Sequence, residues 1–111
     1  MTELREYHRF LLHTKITHQS VKTRKSAEAA SKDISVAGIC FTTADEPLTI
    51  NETYSVMFSL PNDPTEIEAQ AIVKWNRAYT GYYDNGLLFT KISDDHREFI
   101  KEFSIGSVGA E

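Results

Sequence analysis

Cysteine and long apolar runs are scarce in this 111-residue sequence. Its single cysteine, Cys40, excludes an internal disulfide and a zinc site built from several cysteines, and its apolar neighbours predict an inert, buried thiol. No stretch approaches the roughly 18 consecutive apolar residues that a membrane helix needs. Residues 1–10 lack the apolar segment of a secretory signal. We therefore expect a cytoplasmic protein that does not insert into a membrane.

Catalytic and metal-binding motifs are also missing. The sequence contains no phosphate-cradling glycine loop, no nucleophile elbow and no cluster of paired carboxylates, so we expect no enzymatic activity and no cofactor. His8, His13 and His18 lie five residues apart in or beside a predicted strand, which does not match the spacing of metal ligands on a helix. We expect these histidines to be solvated or flanking residues, and we predict no metal site.

Positive charge is scarce overall but locally concentrated. The net charge is −4, although residues 1–25 carry six basic and two acidic side chains, a local net charge of +4 that leaves −8 for the remainder. A protein that binds single-stranded nucleic acid usually has a basic groove, so the acidic total argues against a nucleic-acid polymer as partner. The local excess fits either a solvated basic segment or a small anion held by a few residues.

Residue periodicity predicts about six strands and one helix in a single domain. The predicted strands lie at 10–18, on both sides of Gly38 between 28 and 43, and at 54–60, 66–75 and 86–92, with loops at 19–27 and 76–86. Ser93 is a good N-cap for a helix to about residue 103, with Phe99, Ile100 and Phe103 on one face. Strands joined by hairpins and closed by one helix predict a mainly β fold, a small six-stranded antiparallel β-barrel with a C-terminal α-helix.

Two short motifs occur in order along the chain. Residues 5–9 read REYHR, and by themselves they fit a solvated N-terminus. Residues 33–38 read DISVAG, and by themselves they fit an ordinary strand followed by a turn. Together they resemble the signature of the PilZ domain, the bacterial receptor for cyclic di-GMP, in which Arg-x-x-x-Arg is followed by Asp/Asn-x-Ser-x-x-Gly.

Later segments extend the resemblance over about residues 4–103. A strand that ends in an aromatic residue appears as AIVKW, a closing Gly-x-x-Phe strand appears as GLLF, and an acidic capped helix follows. The resemblance implies a single PilZ domain over 1–104, with a PilZ-like split barrel. Its parts would be a nucleotide-binding arm at 1–9, a barrel at 10–92, a helix at 93–103 and a flexible tail at 105–111.

The resemblance also implies roles for individual residues. Arg5 and Arg9 would clamp phosphate and guanine, because a guanidinium fork can bind either one bidentately. Asp33 would accept hydrogen bonds from the guanine N1–H and N2–H₂ groups. Ser35 would add a hydroxyl that can donate or accept, and Gly38 would let backbone and ligand approach closely because it has no Cβ.

Three further positions affect this expected site. Trp75, the only tryptophan, occupies a place where the family can stack a flat residue on guanine, although a core or rim tryptophan is the alternative. Leu4 lies where a bulky apolar residue tends to accompany one bound nucleotide rather than an intercalated pair. Glu6 lies inside the arginine motif and weakens its positive field.

The resemblance implies a cyclic di-GMP receptor that changes conformation on binding and signals to an unidentified protein effector in motility, chemotaxis or biofilm formation. We expect the arm to be mobile before the nucleotide binds. The alternative is a PilZ-like adaptor that binds a protein but no nucleotide, as some members do.

Overall fold

The structure is a computed structural model that describes residues 9–61 and 63–109, with side chains through residue 103. Seven strands precede one helix in this part of the chain. The strands are β1 (Phe10–Leu11), β2 (Lys15–Ser20), β3 (Ser26–Ile34), β4 (Gly38–Thr43), β5 (Thr53–Ser59), β6 (Glu66–Tyr79) and β7 (Tyr82–Ile92). The helix is α1 (Asp94–Gly109).

Six of the strands close into an antiparallel barrel. The order is β3-β2-β5-β6-β7-β4, and β4 pairs with β3 to complete the ring. The short strand β1 is extra, and it pairs with the end of β3 through Phe10 opposite Ile34 and Leu11 opposite Asp33. The predicted six-stranded antiparallel barrel with a C-terminal helix is therefore confirmed.

Alternate residues of the strands fill the barrel with apolar side chains. On β5, Tyr54, Val56 and Phe58 point inward and are at most 9% exposed. Ile39 and Phe41 of β4 are buried in the same core. This period of two follows from the pleat of a strand, so the residues between them, such as Cys40, point to the outer face of the barrel.

Two predicted loops are wrong in part because the chain there is strand. Residues 19–20 and 26–27 belong to β2 and β3, and only the turn between them lies outside the sheet. The predicted loop at 76–86 is a hairpin in which β6 and β7 pair as far as Tyr79 and Tyr82, leaving a two-residue turn. Most side chains in these segments are exposed, so backbone pairing rather than apolar alternation makes them strands.

The helix α1 covers the barrel near β1 and β3. Ser93 caps it, since its Oγ accepts the N–H of His96 at 3.1 Å, as predicted. Ile100 is fully buried, and the Phe103 ring lies 5.1 Å from the Phe10 ring. The predicted end at residue 103 is wrong, because α1 continues to Gly109; no proline interrupts it, and an isolated glycine costs only about 1 kcal/mol in a helix. The described part of the chain contains no helix with the length and apolarity that a membrane span requires.

Candidate functional site

One row of paired residues crosses the outer face of the barrel. Leu11 pairs with Asp33, Asp33 with Cys40, Cys40 with Gly86, and Gly86 with Trp75. Residues that pair directly across a sheet point to the same face, so these side chains share one surface. Asp33 and Trp75 are three strands apart, which at about 4.8 Å per strand corresponds to roughly 14 Å along the sheet.

Two β-bulges shape this face. On β3 the register shifts between Ser31 and Asp33, which leaves Lys32 as the extra residue. Ser31 points inward because it pairs with the core residue Phe41, so the bulge places both Lys32 and Asp33 on the outer face. On β6 a second shift, between Val73 and Trp75, turns the tryptophan to the same outer face.

The structure brings Arg9 and Asp33 together from the two sequence motifs. Arg9 Nη1 lies 3.6 Å from Asp33 Oδ1, and the two side chains are 50% and 22% exposed. That oxygen of Asp33 is buried and makes no hydrogen bond to any residue of the described ranges. The predicted partner Arg5, together with Leu4 and Glu6, lies outside the described residues.

Ser35 and Gly38 form the turn that follows Asp33. The Ser35 N–H donates to the Gly38 carbonyl at 2.9 Å, and the Ser35 Oγ accepts the N–H of Ala37 at 3.1 Å. Ser35 is only 4% exposed, so its hydroxyl is held within the turn and retains its proton for one further acceptor.

Gly38 has a packing role in addition to the role expected from the ligand. A Cβ at Gly38 would lie 2.2 Å from the Leu87 carbonyl oxygen, which is part of the β7 backbone. A side chain there would therefore push β4 and β7 apart. The motif requires glycine for close strand packing, whether or not a ligand also approaches it.

Trp75 lies flat over Gly86 on the neighbouring strand. A Cβ at Gly86 would come within 2.1 Å of the indole Nε1, so only glycine leaves room for the ring. Trp75 is 39% exposed, which excludes the alternative of a core tryptophan and leaves surface for another flat ring to stack on.

A comparison with protein-family models matches the PilZ domain over residues 3–106. The chain belongs to the PilZ domain family. The family resemblance carried by the two motifs is thereby confirmed. None of the curated protein sequences matches the chain.

Solved structures share the fold of this PilZ domain. The inhibitor of motility MotI/DgrA of Bacillus subtilis matches with a TM-score of 0.85 and 19% identity, covering 96% of this chain and 52% of that one. MrkH of K. pneumonia in complex with c-di-GMP matches with a TM-score of 0.78 and 21% identity, covering 94% and 52%. The PilZ domain of YcgR from Escherichia coli with c-di-GMP matches at 0.72 and 10%, covering 92% and 89%. The chain thus spans about half the length of MotI/DgrA and MrkH.

An ion pair beside the motifs of this PilZ domain was missed by the sequence analysis. Lys32 Nζ lies 2.5 Å from Asp84 Oδ2, and the Asp84 side chain is only 3% exposed. The Thr42 hydroxyl lies 3.4 Å from the other oxygen of Asp84, and Lys32 Nζ lies 5.7 Å from the centre of the Tyr79 ring. No sequence signal could join Lys32 to Asp84, because 52 residues separate them and Asp84 read as part of a turn.

The charges on this face surround Cys40. Burial raises the pKa of the Cys40 thiol to about 11, with Asp33 and Asp84 adding to the increase and Lys32 and Arg9 opposing it. Cys40 is 2% exposed, so the predicted buried, inert thiol agrees with its surroundings. The hydrogen bond to Asp84 raises the pKa of Lys32, which keeps this ammonium charged.

The structure describes two of the three histidines at positions 8, 13 and 18, and these two differ in burial. His18 is 7% exposed and packs against Phe41, with ring centroids 5.1 Å apart, so the expectation that it would be solvated is wrong. His18 lies two residues after Ile16 on β2, so both side chains point inward. Burial lowers the pKa of His18. His13 is exposed, and His8 lies outside the described residues. Across residues 9–61 and 63–109, no three His, Cys, Asp or Glu side chains are grouped to hold a metal ion.

Proposed function

We propose that this PilZ domain is a receptor that binds cyclic di-GMP and does not turn it over. The observation that carries the proposal is the meeting of Arg9 and Asp33. These residues belong to two separate motifs, and their charged groups lie 3.6 Å apart on the outer face of the barrel. The structures of MrkH and the YcgR PilZ domain, which contain c-di-GMP, support this ligand.

The chemistry of the two side chains complements guanine and phosphate. Cyclic di-GMP is a dianion with two guanines, each of which presents N1–H and N2–H₂ donors and O6 and N7 acceptors. The buried oxygen of Asp33 is an acceptor without a hydrogen-bond donor among the described residues, and it suits the guanine donors. The Arg9 fork suits guanine O6 and N7 or a phosphate.

Binding exchanges the Arg9–Asp33 contact for contacts with the nucleotide. The Arg9 Nη1 to Asp33 Oδ1 distance of 3.6 Å is longer than a hydrogen bond, so the exchange gives up no hydrogen bond between the two side chains. The Arg9 guanidinium would then bind guanine or phosphate, and the Asp33 carboxylate would accept the guanine N–H donors. Each group would gain a partner with better hydrogen-bond geometry than the 3.6 Å contact between them. Arg5 would complete the clamp from the arm, residues 1–9.

Ser35, Gly38 and Trp75 complete the proposed site. The turn of Ser35 and Gly38 is fixed at its far side, since the Val36 carbonyl accepts from Arg97 Nη1 at 3.1 Å. Trp75 offers an exposed ring surface, and stacking of a base on an aromatic side chain contributes about 1–3 kcal/mol. Leu4 favours one bound nucleotide rather than an intercalated pair.

The receptor would transmit its signal to another protein in the cytoplasm. Bridging of the arm to the barrel face would change the surface around β1, which a protein effector could recognise. MotI/DgrA is an inhibitor of motility, which supports a process such as motility, chemotaxis or biofilm formation for the effector.

Isothermal titration calorimetry with cyclic di-GMP tests the proposal. We expect wild type to bind at micromolar nucleotide or tighter, with one nucleotide per chain. Asp33→Ala and Arg9→Ala should each weaken binding by about 1.5–3 kcal/mol, the usual contribution of a hydrogen bond to a charged group. Lys22→Ala is the matched control, because it removes one positive charge from an exposed turn away from the site.

The titration also decides between receptor and adaptor. No heat from wild type at high micromolar nucleotide would overturn the receptor and favour a PilZ adaptor that binds only a protein. Equal affinities for wild type and Arg9→Ala would overturn the assignment of Arg9.

A further inference from the structure

The bulge on β3 brings a lysine and an acidic side chain to the same outer face, beside a second acidic side chain on β7. Lys32 and Asp33 are adjacent in sequence and both point to the outer face, where side chains of successive strand residues normally point to opposite faces. Asp84 of β7 reaches the same face from the other side. The Lys32 ammonium therefore has two carboxylates within the same small region of surface.

In the structure Asp84 holds the lysine. The Lys32 Nζ to Asp84 Oδ2 distance is 2.5 Å, and Thr42 supports the second carboxylate oxygen. Asp33 Oδ1, by contrast, is buried and has no hydrogen-bond partner in the described part of the chain. Among the described residues, Asp33 has the looser contact with Arg9, at 3.6 Å.

Four charged side chains lie around Cys40 on this face. Asp33, Asp84, Lys32 and Arg9 all influence the ionisation of the Cys40 thiol, which lies between β3 and β7. A lysine released from Asp84 could turn to Asp33, which is its neighbour in the chain and points to the same face because of the bulge. If Asp33 paired with Lys32, its carboxylate would already be occupied and would be less able to accept hydrogen bonds from guanine.

We propose that Asp84 is a positioning residue that holds Lys32 away from Asp33 and thereby leaves the Asp33 carboxylate open to the guanine N1–H and N2–H₂ donors. This inference rests on the proposed function. Neither Asp84 nor Lys32 needs to contact the nucleotide. In this proposal Asp84 acts through Lys32, so replacing Asp84 should change the affinity for the nucleotide only while Lys32 is present.

A double-mutant cycle tests this dependence. Asp84→Asn removes the charge and keeps the shape of the side chain, and Lys32→Met keeps an unbranched side chain without the charge. We expect Asp84→Asn to raise the Kd for cyclic di-GMP about tenfold, since it frees Lys32 for Asp33. Lys32→Met and the double variant should both bind within about threefold of wild type. Melting temperatures of all four proteins show that each is folded.

The outcomes separate this inference from its premise and from a purely structural role. If the pair only joins β3 to β7, the two single variants should lose affinity together and the double variant should not recover it, which overturns the inference. Equal affinity of Asp84→Asn and wild type also overturns the inference but leaves the receptor intact. No binding by wild type overturns both. If Asp84→Asn does not fold, Lys32→Met decides alone, and a tenfold or greater loss of affinity overturns the inference.

Discussion

Replacing Gly86 by alanine should weaken nucleotide binding while leaving the barrel stable. The added Cβ would lie 2.1 Å from Trp75 Nε1 and 2.2 Å from its Cε2, so the indole cannot keep its position. The atoms in the way belong to a half-exposed side chain rather than to backbone, and the ring can rotate outward. The variant therefore moves the platform of the proposed site without removing any of its residues.

The expected loss of binding free energy is larger than the expected change in the free energy of unfolding. Loss of the stacking surface should cost about 1–3 kcal/mol of binding free energy, which is a rise of about five- to 150-fold in Kd. The free energy of unfolding should change by less than about 1 kcal/mol, because alanine in a strand recovers about 0.5–1 kcal/mol of chain entropy and offsets the packing that the ring loses.

Calorimetry with cyclic di-GMP and urea unfolding measure the two quantities. Trp75→Ala is the matched variant, and Gly86→Ala combined with Trp75→Ala should bind no more weakly than Trp75→Ala alone, since both changes remove the same surface. An unchanged Kd for Gly86→Ala would refute the stacking role of Trp75. Additive losses in the double variant would show that Gly86 acts through something other than the indole.

The remaining predictions concern the barrel and its buried polar groups. Gly38→Ala should lower the free energy of unfolding by about 1–3 kcal/mol or more in urea titrations, because its Cβ would meet the Leu87 backbone carbonyl; unchanged stability would contradict this. Burial holds the pKa of His18 below its usual value of 6.5, so the unfolded chain binds more protons and stability should fall as the pH drops below about 6.5. Urea midpoints of wild type should show this loss and His18→Phe should show less of it, whereas parallel pH profiles would contradict the assignment. Cys40, with a pKa of about 11, should react with iodoacetamide at neutral pH only after unfolding, and rapid alkylation of the folded protein would contradict its burial.

Local sequence patterns predicted the strands that have one solvent-exposed and one buried face. Apolar alternation marks the part of β6 from Ile67 to Val73 and the inward residues of β5, since these strands bury every second side chain. The hairpin end of β6 and β7 carries exposed tyrosines and polar residues, so it resembled a turn. There the backbone ladder and the stacking of Tyr79 on Tyr82, with centroids 4.9 Å apart, form strand without apolar alternation.

The sequence predicted part of the candidate site and missed its surroundings. The spacing within DISVAG places Asp33 at the end of β3 and Gly38 at the start of β4, as local motifs can. The sequence around Lys32 and Lys74 does not indicate the β-bulges at these residues, although the bulges decide which side chains share the outer face. The partnership of Lys32 with Asp84 arises only when β3 and β7 flank β4 in the closed barrel.

The receptor role of the Arg9–Asp33 site is tested most directly by titrating wild type and Arg9→Ala with cyclic di-GMP, with Lys22→Ala as the charge-matched control. We expect saturable binding of one nucleotide by wild type and Lys22→Ala, and affinity lower by about 1.5–3 kcal/mol for Arg9→Ala. Absence of binding by wild type, or the same Kd for all three proteins, would contradict this role.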